Sequence, residues 1–262
     1  MIFVDKKTVE FPECLLLQIP DGTSSQKRRK IETTLNRRQE ILNNGSYINT
    51  STYNSRYKHN DIKRILEKLY NNKCAFCERV MERWDVEHFR PKAIYYWLAF
   101  SWDNLLFSCP TCNGHKKANF DVETVAGHPS PDQIAKIHEL ADEYFLLEKP
   151  KMIHPEKEEE HLKDLWTFDE NGNMLTDDER GAYTIDTIKL NRKRLRDDRK
   201  RCWKRELIKR YNSILAELND GLITEDEANA NLRFLLRTFI RDSKDAEVNF
   251  TAFRQFAAKN FL

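Results

Sequence analysis

No apolar run in this 262-residue chain approaches the roughly 20 residues needed to cross a bilayer, which argues against a helical membrane protein. Glycine occurs 7 times and proline 8 times, too sparsely for the many tight turns of a barrel or sandwich. Neither charge prevails, since 44 Lys and Arg stand against 42 Asp and Glu, and the net charge of +2 by itself points to no polyanionic partner. Met1 to Glu10 lacks the basic-then-apolar pattern of a secretory leader. There is also no internal repeat and no linker long enough to force a domain split. The expectation is a cytosolic, mainly α protein of class α+β, with no membrane partner and, at 40% hydrophobic residues, enough material for a core.

What is present is segregated. Arg192 to Arg210 carries eleven Lys or Arg against three acids, whereas Glu156 to Glu170 carries seven acids against two lysines. Such a basic stretch is a solvated face, a nucleic-acid track or a contact for an acidic partner. Leu195, Trp203, Leu207, Ile208 and Tyr211 give it an apolar stripe, so one side is expected to be buried.

Three regions follow: 1–60, an N-terminal arm and basic helix; 61–125, a compact core unit; and 126–262, mainly helical with a β-hairpin. Ile2-Phe3-Val4 and Leu15 to Ile19 are β-prone, suggesting a short strand or ordered arm before the Pro20-Asp21-Gly22 turn. Gln26 to Leu42 reads as a helix, Asn43 to Ser55 as a polar loop, and Asp61 to Tyr70 as a helix with Ile62, Ile65, Leu66 and Leu69 at helical spacing. Ile134 to Leu147 is amphipathic, helical into a strand. Asn171-Gly172 predicts a hairpin over Trp166 to Leu175. Thr184 to Leu218 reads as one long helical stretch, and further helices start at Thr224 and after Asp242-Ser243.

Four of the six cysteines form two close pairs, Cys74/Cys77 and Cys109/Cys112. In a reducing compartment this spacing indicates a closed thiolate site for structural zinc, with a rubredoxin-like iron site or accidental thiols as the alternatives. Cys14 and Cys202 read as buried apolar residues. Between the pairs, Trp84 to His88 alternates like a strand, Asn104 to Ser108 suits a second, and Cys109-Pro110 opens a helix through Asn113, His115 and Lys117. Tyr95, Tyr96, Trp97, Trp102 and Phe107 are expected in the core. His59, His128, His138, His154 and His161 match no motif and read as surface histidines.

The first cysteine pair, the acid-His dipeptide Glu87-His88, the central Asn104-Leu105 and the closing Cys109-x-x-Cys112-Asn113-x-x-Lys116 resemble, in order and spacing, the HNH or ββα-metal endonucleases. The phrase Val86 to Lys92, with Tyr95-Tyr96-Trp97-Leu98-Ala99 and Trp102-x-Asn104-Leu105-Leu106, is similar to one branch of them. That branch is the PtuB-type HNH proteins of Septu and some retron anti-phage systems, whose nuclease works with an ABC-type ATPase, PtuA. The resemblance implies a zinc-stapled ββα core in a helical envelope, acting on DNA or RNA phosphodiesters.

Phosphodiester hydrolysis needs a base for water, a cation for developing charge and groups that hold adjacent phosphates. His88 suits the base, and Glu87 and Asn113 offer oxygen ligands for catalytic Mg²⁺ or Mn²⁺. The family assigns Asn104 the support of the histidine loop, and Arg90, Lys92, Lys116 and Lys117 become candidates for phosphate contact. Two departures from the usual pattern concern the metal ligands. Glu87 replaces the commoner Asp, and Lys117 stands where some members carry a second histidine, with His115 on another face of the helix. The bland readings are a packed His88, an Asn113 that only caps its helix, and a non-catalytic zinc adaptor that docks nucleic acid or protein.

Overall fold

The computed structural model describes residues 1 and 3–260, and they are mainly helical with two small two-stranded sheets. Among them no helix is long and apolar enough to cross a membrane. The first helix, α1 (Ser25–Asn44), ends where Gly45 turns left-handed (φ 66°) and returns its N–H to Ile41 and Leu42. Helix α2 (Ser51–Tyr57) follows inside the segment expected to be a loop, because its polar run packs through Tyr57 rather than through an apolar stripe. Helix α3 (Asn60–Leu69) buries Ile62 and Leu66, as its spacing predicts.

Strands β1 (Asp85–His88) and β2 (Leu105–Ser108) pair antiparallel, with Val86 opposite Phe107 and His88 opposite Leu105. Every residue of β2 is buried, and side chains such as Phe107 contribute roughly 1.5–3 kcal/mol each on leaving water. Helix α4 (Pro110–Lys116) starts at once from β2, with Pro110 in its first turn and the Cys109 sulfur accepting the Cys112 N–H. It packs on β1 and on the helix Glu179–Ile188.

The remaining helices form the envelope: α5 (Pro131–Ala135), α6 (Ala141–Glu148), α7 (Glu159–Asp164), α8 (Glu179–Ile188), α9 (Lys193–Cys202), α10 (Lys209–Asn219), α11 (Glu225–Asp242) and α12 (Thr251–Asn260). A π-helical turn, Trp203–Ile208, joins α9 to α10. The expected hairpin forms as β3 (Thr167–Phe168) and β4 (Met174–Leu175). Gly172 (φ 75°) is required there, since a Cβ would lie 2.5 Å from the Arg196 carbonyl oxygen.

Several expectations are corrected. The N-terminal arm contains 3₁₀ turns at Lys6–Thr8 and Glu13–Leu15 rather than a strand, and Ile2 lies outside the described residues. The arm is ordered because Lys6 places its ammonium 2.7 Å from both the Trp102 and Leu105 carbonyls and 2.9 Å from Glu156. No strand follows Ile134; the segment is α5 and α6. The long helix expected from Thr184 breaks at Lys189 (φ 55°), since Leu190 must turn into the core and Asn191 exchanges hydrogen bonds with the backbone of Met174.

Two histidines are not surface residues. His154 is buried, and His138 has both ring nitrogens bonded internally. Cys14 and Cys202 are buried thiols, each pushed up to about 12 chiefly by burial. Of the five aromatics expected inside, Tyr95, Trp97, Trp102 and Phe107 are buried and Tyr96 is partly covered.

Candidate functional site

The four paired cysteines converge at the junction of β2 and α4. Their sulfurs all lie within 4.8 Å of one another, and Cys77 Sγ is 3.9 Å from Cys109 Sγ. A tetrahedral site with zinc–sulfur bonds of about 2.3 Å has sulfur–sulfur edges of roughly 3.8 Å, so the cluster fits zinc. Backbone N–H groups of Cys109 and Cys112 point at Cys74 Sγ and Cys109 Sγ, each at 3.3 Å, and the Arg192 guanidinium donates to Cys112 Sγ at 3.5 Å. These donors suit thiolates. Four sulfurs complete a tetrahedral shell and leave no position for water, so the cluster suits a scaffold that ties the Cys74–Cys77 turn to the start of α4.

His88 ends β1 and is buried. Its Nε2 lies 2.9 Å from the Ala99 carbonyl, which can only accept, so Nε2 carries the proton and Nδ1 the lone pair. Nδ1 has no hydrogen-bond partner among the described residues and is not sealed from solvent. Burial, with the charges of Lys92, Lys116 and Lys58 against the bond to Ala99, pushes the His88 pKa down to about 3. The ring therefore rests neutral, with its basic nitrogen available.

The turn after His88 is held by Asn104. Its Oδ1 accepts the Arg90 N–H at 2.7 Å, and its Nδ2 donates to the carbonyls of Arg90 at 3.0 Å and Leu98 at 3.3 Å. Asn104 is itself buried, so these bonds are shielded from water.

Strand alternation places Asp85 and Glu87 on one face, toward α4, and His88 on the other. Asn113 donates to Asp85 at 3.2 Å, while Glu87 pairs with Lys116 at 3.0 Å. The two expected metal ligands thus meet different partners. Burial pushes Glu87 up and Lys116 down, and their mutual attraction opposes both shifts. Tyr57 links the faces: its ring packs edge-on against His88 at 4.5 Å, and its phenol is raised to about 12 by burial and then by the charges of Asp85 and Glu87.

The four basic candidates separate. Arg90 is buried and bonded to Glu148 at 2.6 Å, and Lys116 is buried on Glu87 and the His88 carbonyl. Neither presents a free cation to a phosphate. Lys117 is exposed at the end of α4, and Lys92 is half-buried beside His88. The sequence reading missed Asp85, although its spacing of two from Glu87 was a visible signal. It also missed Tyr47, Tyr57 and Lys58, which lie in a polar segment with no motif.

A second group, Cys14, His59 and Asp61, also brings possible ligand atoms within 4.8 Å. Asp61 is already neutralised by Lys30 at 2.8 Å, and His59 Nδ1 accepts the Asp61 N–H to cap α3. Surrounded by Lys30, Arg56 and Arg64, it is a helix cap in a positive field and suits no cation.

The chain is thus mainly helical, with small two-stranded sheets and a four-cysteine cluster beside one of them. The chain is homologous to the Septu protein PtuB. It is 32% identical to that of Bacillus mycoides over 187 residues, 64% of this chain and 58% of the relative. To PtuB of Bacillus thuringiensis it is 40% identical over 98 residues, 36% of this chain and 35% of the relative. A further similarity, 25% over 146 residues, is to the Septu protein PtuA of Bacillus mycoides, covering half of this chain and 19% of that one. The chain thus matches at most 58% of the length of these curated relatives. No family model matches, and no solved structure does.

Proposed function

We propose that this chain is the nuclease of a Septu-type anti-phage system, a metal-dependent HNH endonuclease acting with an ABC-type ATPase of the PtuA kind. The observation that carries this reading is the geometry of His88: a buried imidazole at the end of β1 whose Nε2–H is tied to the Ala99 carbonyl, leaving Nδ1 as the acceptor. Homology to PtuB supports it, as does the cysteine unit that holds the histidine. Asp85 and Glu87, with Asn113, form an oxygen-rich face that fits a hard cation if Lys116 gives way or shares Glu87. When bound there, Mg²⁺ or Mn²⁺ would stabilise the charge developing on the phosphoryl and leaving oxygens.

His88 Nδ1 takes the proton of the attacking water as its oxygen bonds to phosphorus. The bond from phosphorus to the leaving oxygen breaks, and that oxygen is protonated from solvent. Asn104 keeps the imidazole-bearing turn in place, so the base need not be reoriented during the reaction.

The test is incubation of wild type and His88→Ala with Mg²⁺, alone and with the neighbouring ATPase, on duplex DNA, single-stranded DNA and tRNA. Loss of about 10²–10⁴-fold in cleavage is expected, with zinc content and circular dichroism unchanged. Undiminished cleavage by His88→Ala overturns the assignment of the base. A second reading, a zinc-bearing adaptor without catalysis, is favoured by Lys116 already neutralising Glu87. Reversible loss of cleavage on removing Mg²⁺ decides against the adaptor.

A further inference from the structure

Beside His88 stand two lysines that the structure leaves without an anion. Lys92 Nζ lies 4.3 Å from the ring centroid of Tyr47 and 5.8 Å from that of Tyr57, and Lys58 Nζ lies 5.7 Å from Tyr57. The two rings are fixed in turn, because both hydroxyls donate to Asn54 Oδ1, Tyr47 at 2.8 Å and Tyr57 at 3.2 Å. Tyr57 then abuts the His88 ring. Aromatic faces hold an ammonium in place without neutralising it.

The contrast with the neighbouring cations is sharp. Arg90 has Glu148 and Lys116 has Glu87, whereas neither Lys58 nor Lys92 has an ion-pair partner among the described residues. The carboxylate that acts on Lys92, Glu87, is already engaged by Lys116. Burial and repulsion from Lys58 both disfavour the charge on Lys92. Two like charges that repel each other with no counter-ion, one of them half-buried, are relieved by an incoming anion.

We propose that Lys58 and Lys92, seated on Tyr57 and Tyr47, grip a backbone phosphate of the nucleic-acid strand next to the bond that the water activated by His88 breaks. This rests on the nuclease reading for its location but not for its binding test. Helix α2, which carries no sequence motif, then becomes the shelf that sets where the strand lies. Tyr47 is a positioning residue: its ring holds Lys92, and its hydroxyl only fixes the ring.

The experiment is fluorescence-anisotropy titration of the full zinc-loaded chain, without added Mg²⁺, onto labelled single-stranded DNA, RNA and duplex DNA at several salt concentrations. Lys92→Gln and Lys58→Gln are each expected to weaken binding about five- to tenfold and to flatten the dependence of log affinity on log salt by about 0.7–0.9, one phosphate contact. Tyr47→Leu should act in the same direction, and Tyr47→Phe, which keeps the ring face but loses its bond to Asn54, should fall between Tyr47→Leu and wild type. Unchanged affinity and slope in both lysine variants, or no strand binding by the wild type, overturns the proposal.

Competition separates the sources of phosphate. If inorganic phosphate or ATP displaces the strand at micromolar concentration, the grip serves a free phosphate or nucleotide and the strand proposal fails. The two readings also fail separately. A wild type that binds but never cleaves with Mg²⁺ sinks hydrolysis alone, whereas cleavage with KM unchanged in both lysine variants sinks the grip alone.

Discussion

His88 and His138 sit in two different pockets and look alike by burial and charge: both are enclosed imidazoles whose pKa is pushed down to about 3. They differ in their hydrogen bonds. His138 takes the Trp102 N–H on Nδ1 at 3.0 Å and gives its Nε2–H to the Leu15 carbonyl at 2.8 Å, so both nitrogens are used. His88 uses only Nε2. A depressed pKa therefore does not mark a functional histidine by itself. An unsatisfied nitrogen that solvent can reach is the distinguishing feature, and an unpaired cation is not, since Arg38, which has no ion pair among the described residues, lies 3.4 Å from His138 Nε2.

The contrast can be broken most forcefully by removing the scaffold under one pocket. Cys109→Ser is expected to lose zinc and to destabilise the β1–β2–α4 unit by more than about 4 kcal/mol. Metal analysis and a urea titration check this, and near-normal zinc content would show that the sulfurs are not a closed site. Arg90→Ala, which leaves Glu148 buried and unpaired, should cost about 3–5 kcal/mol. Replacing both partners together, Arg90→Met with Glu148→Leu, should recover most of that loss in the same titration.

Replacing the fully bonded histidine should do the reverse of replacing the open one. His138→Ala is expected to lower stability by about 2–3 kcal/mol, because the Trp102 N–H and Leu15 carbonyl lose their partner. Cleavage per folded molecule should be untouched, and a catalytic loss matching that of His88→Ala would erase the distinction. The smallest effect is titration. His138 is charged below about pH 6.5 in the unfolded chain but only below about 3 when folded, so the unfolded state binds the extra proton between them. Its contribution is full above pH 6.5 and falls with decreasing pH, by at most about 1.4 kcal/mol per unit. Comparing wild type with His138→Gln at pH 7 and 5 should show the gap narrowing, and a constant gap would remove the linkage.

Local signals made the cysteine unit legible. Alternation in Trp84 to His88, the Cys-Pro helix start and the two cysteine spacings each act over a few residues, and β1, β2 and α4 form where they indicate. The same holds for the Asn171-Gly172 hairpin and the Thr224 cap of α11. What was not legible depends on contacts distant in the chain. Arg90 looks like a surface cation until Glu148, 58 residues away, is placed on it. His138 looks like a surface histidine until the N-terminal arm supplies the Leu15 carbonyl. Helix α2 has no apolar period, and its place beside His88 is fixed by packing through Tyr57. The break at Lys189 is likewise set by a strand edge some fifteen residues earlier, where Asn191 meets Met174 with a separation of 17.

The guanidinium of Arg192 on Cys112 has a consequence for modularity. All the recognisable motif lies between Cys74 and Lys117, as if it were a cassette that could be cut out and grafted elsewhere. Yet its sulfurs are completed by an arginine that opens the basic helix α9, and its histidine turn is backed by an arginine anchored in α6. A graft carrying the motif alone would bring an uncompensated charge to each end. The structural unit of this protein is larger than its signature, and the basic helix α9 is tied to the cysteine cluster at the level of a single sulfur.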